Sequence, residues 1–321
     1  MIRSLEAAAA AILILTATPH SVLARCTLRR FAELPVTVHA REPLVSARIN
    51  GAPASFLLDS GAFYSLLTPR SVAAYDLRLE TPPYGLRLTG IGGTNAAQIT
   101  TVGRFTLAHE TLRNVEFVVT SVATAPGVAG VVGQNILRLS DAEYDLADGV
   151  VRLWRATGCG RAPLLYWART EPYSAIEIAR TDARDPLIIG TAALDGKPVR
   201  VLFDTGSSTS MVALEAARRA GFKRNGGAHP AAYLYGIGAR RVPVWLWTFP
   251  RFQIGGETVR NAPLRVAELK LPHIDMILGA DFFLAHRIFV AVDQRKLYFT
   301  YDGGPVFAAN APNAPQSGRK R

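Results

Sequence analysis

Apolar residues along this chain come in short runs that alternate with polar ones or stand unbroken for four to six positions, closed by Gly, Pro or Asn. "LVSARING", "ASFLLD", "NVEFVVT" and "VVRLWR" have this form, as do "LIIGTAALDG", "VRVLFD" and "KLYFTY". Such runs predict short β-strands. Helical spacing is confined to "TPRSVAAYD" at 68–76 and "VALEAARRAG" at 212–221, where Gly221 supplies an end signal. Strands with no βα alternation predict an all-β protein built of small barrels or folded sheets.

The pattern is written twice. "INGAPASFLLDSGAFYSL" at 49–66 aligns without a gap to "LDGKPVRVLFDTGSSTSM" at 194–211, an offset of 145 that pairs Asp59 with Asp204 and Ser60 with Thr205. "GIGG" at 90–93 matches "GIGA" at 236–239, and "VVGQN" at 131–135 matches "ILGAD" at 277–281, each at an offset of 146. Motifs that keep register over so long a stretch mark one domain duplicated. The expected organisation is a first lobe over 25–158, a connector over 159–175, a second lobe over 176–302 and a disordered tail over 303–321.

The ends and the composition add less. Residues 1–24 carry Arg3, an apolar run from Ala7 to Ala17, and Val22 and Ala24 at the positions of a cleavage site, which predicts a secretory signal peptide. The run is shorter than the ~20 residues of a membrane helix. "LARC" at 23–26 has Arg where a lipid-attachment box needs a small residue. A secreted or periplasmic chain favours one disulfide between its two cysteines, Cys26 and Cys159, two buried free thiols being the alternative. The net charge of +11 suits anionic partners, but no basic run with interleaved aromatics supports a nucleic-acid site. His39, His109, His229, His273 and His286 show no metal spacing, and no G-x-S-x-G elbow is present, so neither a metal nor a serine nucleophile is expected.

On these residues each repeat resembles a lobe of the aspartic proteases of retroviral (retropepsin-like) type, with both lobes on one chain as in bacterial secreted members. The resemblance implies two pseudo-symmetric β-barrel lobes facing a central cleft. Asp59 and Asp204 would be the catalytic pair, sharing one proton because like charges ~3 Å apart cannot both ionise. Ser60 and Thr205 would fix the loops through their hydroxyls, Gly61 and Gly206 would permit close approach, and the Ser207 hydroxyl would bond Asp204, making it the ionised member. Gly90, Ile91, Gly92 and Gly93, with Tyr235, Gly236, Ile237 and Gly238, would be flaps over the substrate. Val131, Val132, Gly133, Ile277, Leu278 and Gly279 would support the loops, with Asn135 and Asp281 capping the helices that follow. Arg240 and Arg241 beside the second flap would either favour acidic substrates or form a solvated face. The implied activity is that of an endopeptidase acting on an extended peptide or unfolded protein, as a monomer without cofactor. The alternatives are a peptide-binding protein that has lost turnover and an assembly in which lobes pair between chains.

Overall fold

Turn chemistry sets the first strand pair of each lobe. Asn50 and Gly51 both adopt positive φ, 51° and 94°, as do Asp195 and Gly196 at 48° and 74°, the requirement of a tight hairpin whose twist matches its strands. In the computed structural model, which describes residues 26–82, 85–122, 124–168, 170–179, 186–224, 230–234, 236–238 and 240–307, each hairpin opens a closed six-stranded barrel. The first runs through Glu42–Ile49, Ala52–Leu58, Val128–Val132, Leu66–Leu67, Glu110–Val119 and Gln98–Leu107, closing back on the first strand. The second runs through Ile189–Leu194, Lys197–Phe203, Met276–Leu278, Met211–Ala213, Glu257–Ala267 and Val242–Ile254, and closes in the same way.

Alternation along these strands sends one face inward. Phe56, Phe105 and Phe117 meet in the first barrel with ring centroids 5.3 and 5.1 Å apart along the chain of contacts, and in the second lobe Phe203 of the barrel packs on Phe282 of the helix Ala280–Ala285, which in turn meets Phe299 of the strand Lys296–Tyr301. Aromatic side chains of this size dominate the burial energy of a small core. Thr68 caps the helix Pro69–Ala74 by accepting from the Ser71 N–H, with Pro69 in the first turn.

A further sheet joins the lobes. Thr27–His39, Val150–Thr157 and Asp141–Asp145 come from the first half, and His286–Ala291, Lys296–Tyr301 and Ser174–Glu177 from the second. The seam is the antiparallel pair Glu143↔Phe289. Those residues are 146 apart, the offset of the repeat, so the pseudo-two-fold axis passes through this pair. A Cys26–Cys159 disulfide ties the first strand to the connector.

Of the tail expected over 303–321, the part to Phe307 belongs to the second lobe: Phe307 is buried and packs edge-on against Phe252 at 5.2 Å. Residues 308–321 and the signal expected over 1–24 lie outside the described residues. Among the described residues no helix is long and apolar enough to cross a membrane, and no group of three or more His, Cys, Asp or Glu could hold a metal.

Candidate active site

Each acid sits where a barrel strand ends and a loop turns out of the core. The Asp59 N–H donates to Val132 O at 3.0 Å and the Asp204 N–H to Leu278 O at 2.9 Å, so the strands Val128–Val132 and Met276–Leu278 hold the last residue before each turn. The next residues clasp across the lobe interface. Ser60 Oγ donates to Phe203 O at 2.9 Å and accepts from Thr205 N at 3.0 Å, while Thr205 Oγ1 donates to Leu58 O at 2.7 Å and accepts from Ser60 N at 2.9 Å. Both hydroxyl residues are fully buried. Four bonds closed on two side chains fix the spacing of the loops.

Glycine follows for want of room rather than for backbone freedom. A Cβ on Gly61 would lie closer than 3.0 Å to the carboxylate atoms of Asp204, and one on Gly206 equally close to those of Asp59. Each acid is thus packed against the opposite loop, which brings the two carboxyl groups close enough for the charge of Asp204 to act on Asp59. Gly61 N donates to Asp59 Oδ1 at 2.8 Å; Gly206 N and Ser207 N donate to Asp204 Oδ1 at 2.9 and 3.1 Å.

Burial, then the charge of Asp204 and its hydrogen bond, push the Asp59 pKa well above 3.8. Burial raises Asp204 too, but the bond from Asp59 and the two N–H donors oppose the rise. The N–H groups of Gly61 and Ala62 oppose the rise at Asp59 likewise, so burial sets the direction at both acids. The Ser207 hydroxyl, expected to bond Asp204, donates instead to Thr209 O at 2.9 Å, and it is the Ser207 N–H that bonds Asp204.

The triplets Val131, Val132, Gly133 and Ile277, Leu278, Gly279 pass behind the loops. A Cβ on Gly133 would meet Tyr64 O at 2.6 Å, and one on Gly279 would meet Ser207 O at 2.6 Å. Asn135 and Asp281 do not cap their helices; Gly133 and Gly279 hold the cap positions without side-chain bonds. Asn135 Oδ1 instead accepts from Ser65 N and Oγ, at 2.7 and 2.8 Å, and Asp281 Oδ1 from Ser210 N and Oγ, at 2.8 and 2.7 Å. Ser65 and Ser210 then accept from Gly133 N and Gly279 N, both at 3.0 Å. The recurrence of Ser65 and Ser210 in the repeat was the signal for this tie. Gln134, buried, donates to Ser60 O at 2.8 Å and has no counterpart in the other half, where Ala280 stands.

Above the acids, Arg87–Gly90 and Gly93–Ala96 form a hairpin with Ile91 and Gly92 at its tip. The second tip, Gly236, Ile237 and Gly238, meets it: Arg240 N donates to Gly92 O at 2.9 Å. Tyr235 lies outside the described residues. The tips cross over. Ile91 packs on Ile189, Leu202, Met211 and Ile277 of the second lobe, and Ile237 on Leu66, Val118 and Val131 of the first. Arg240 is held by Glu268 at 3.7 Å and Arg241 lies over the Tyr233 ring at 4.8 Å.

Two paired acids between pseudo-symmetric barrels, under crossing hairpins, define the class of two-lobed acid proteases. The model of the aspartyl protease family matches residues 45–139 and 190–282, together more than half of the sequence. The chain belongs to that family. Among solved structures it is similar to the aspartic proteinase from Irpex lacteus, with 13% identity, a TM-score of 0.53, and 87% of this chain and 99% of that one covered. No curated protein is significantly similar to it in sequence.

Proposed function

We propose that the protein is an endopeptidase in which Asp59 and Asp204 share one proton and activate water. The observation that carries the reading is the carboxyl pair itself, each acid packed against the glycine of the opposite loop, met by N–H donors of Gly61, Gly206 and Ser207 and backed by the buried clasp of Ser60 and Thr205. Ionised Asp204 takes a proton from a water between the acids as its oxygen attacks the peptide carbonyl carbon. Asp59 gives its proton to the carbonyl oxygen. The resulting diol collapses when Asp204 protonates the leaving nitrogen: the C–N bond breaks, the C=O bond re-forms, and a diol hydroxyl gives its proton to Asp59, restoring one proton to the pair. Crossing tips exclude bulk water and open to admit an extended peptide.

An exported location is part of the same proposal. A signal over residues 1–24 would deliver the chain to an oxidising compartment, where the Cys26–Cys159 disulfide persists.

Hydrolysis of a reduced, unfolded protein at acidic and neutral pH tests the proposal. Wild type cleaves, and Asp59→Asn and Asp204→Asn each lose at least ~10²-fold, the scale of general acid–base catalysis. Full cleavage by either variant removes the dyad from the mechanism. Peptide binding without turnover by wild type identifies a binding protein instead.

A further inference from the structure

Three register-matched positions on the cleft walls of the two lobes are apolar in both except at one, which is charged in the second lobe. In the first lobe strand register sets Val131, Leu66 and Val118 side by side. In the second lobe the same register sets Ile277, Met211 and Arg265 side by side. Side chains alternate along a strand. Phe117 and Val119 enter one barrel core, and Leu264 and Val266 the other, so Val118 and Arg265 face the cleft. Val118 is buried among apolar neighbours beneath Ile237.

Arg265 is a cation where its twin is a valine. Its Nε is buried without a hydrogen-bond partner. Among the described residues Asp281 is the acid that offsets this charge, and no acceptor reaches the Nε. Arg41, whose Nε donates to Ser208 O at 2.9 Å, adds a second positive charge that, together with burial, pulls the Arg265 pKa down. Asp281 opposes this, but its Oδ1 already accepts from Ser210 N, Ser210 Oγ and Phe282 N. Glu268, three residues along the chain, is paired with Arg240. A half-buried guanidinium with an unmet donor is costly by itself and is satisfied by a carboxylate, whose planar oxygens fit its fork.

We propose that Arg265 is a specificity residue that binds an acidic side chain of the substrate on the second-lobe wall. The pseudo-two-fold axis relates a substrate residue before the scissile bond to the one equally far after it. Preferred sequences thus carry Asp or Glu at one of these positions and an apolar residue, seated near Val118, at the other. The inference rests on the peptidase reading for the identity of its ligand.

The test uses statine-centred peptides, whose hydroxyl stands in for the attacking water, with Glu or Gln placed in turn at each position within three residues of the statine. Calorimetry on the mature chain yields binding without turnover. In wild type one position prefers Glu about tenfold, the scale of one charge-assisted hydrogen bond. Added salt weakens that preference. Arg265→Lys keeps it in part, and Arg265→Leu, which installs the first-lobe chemistry, abolishes it. Thermal unfolding of the two variants checks that they fold. No Glu preference in wild type, no binding by any of the peptides, or a preference that survives Arg265→Leu overturns the proposal. Dyad-dependent hydrolysis without a Glu preference sinks this inference alone; a Glu preference without hydrolysis sinks the peptidase reading alone.

Discussion

Adding one methyl group at Gly61 is the most selective way to perturb the acid pair. Gly61 has no left-handed backbone to protect, so Gly61→Ala acts only through space. Its Cβ would stand 2.3 Å from Asp204 Cγ, the nearest of the three carboxylate atoms, where ordinary contact starts at 3.4 Å. The Asp204 carboxylate must withdraw by about 1.1 Å, and the clasp through Ser60 and Thr205 prevents the loops from parting to share the movement. A misplacement near 1 Å costs about 10²-fold in rate. Steady-state kinetics should show kcat lower by about 10–100-fold with KM changed much less, and Gly206→Ala should do the same through Asp59. Gly103→Ala is the control, since its nearest contact, Asn50 Oδ1, lies at 3.4 Å. Wild-type kcat for both Gly61→Ala and Gly206→Ala, with unchanged folds, would refute the packing argument.

Removing the clasp should weaken the fold as well as the site: Ser60→Ala leaves Phe203 O and Thr205 N without their partner, for a loss of roughly 1–3 kcal/mol in chemical denaturation, whereas Thr205→Ser, which keeps a hydroxyl, should cost far less. Stability should also depend on pH through Asp59. Its raised pKa means that the unfolded chain gives up this proton first, so the contribution is full below 3.8 and is lost as pH rises through the folded pKa. Asp59→Asn stays neutral, so its melting temperature should gain on wild type as pH rises from 3.8 to the folded pKa and level off beyond it, and a gap that shrinks over that range contradicts the assignment. At the seam between lobes, buried Glu143 accepts from Arg152 at 2.7 Å, Arg287 at 2.6 and 2.9 Å, Trp154 at 2.9 Å and Tyr166 at 2.9 Å. Glu143→Ala leaves Arg152 and Arg287 to share Asp145, at 3.0 and 3.5 Å, but takes the acceptor from Trp154 and Tyr166, and should cost about 1–3 kcal/mol; a loss too small to measure would show that solvent reaches this network.

The duplicated lobe and its acids could be read from the chain because their chemistry is local: a strand, an acid, a hydroxyl residue and a glycine are consecutive, and a second copy at constant offset removes chance. Asn135 and Asp281 were read as caps because their distance from Ser65 and Ser210 along the chain hides a contact that the crossed loops create. The Glu143 network is dispersed over residues 143 to 287, and the fold alone assembles it. Val118 and Arg265 illustrate the same limit. Only strand register identifies them as equivalents, since the sequences around them share little beyond alternating apolar positions. Ser207 marks another boundary, because loop geometry decides whether its hydroxyl or its N–H meets Asp204.

The central claim is that one chain holds one complete two-acid site. Calorimetric titration with a statine peptide, run beside a measurement of mass in solution, tests it most directly. The account predicts one peptide bound per chain at the mass of a single chain, with binding lost in both Asp59→Asn and Asp204→Asn. One peptide bound per two chains, or binding that survives either substitution, would contradict it.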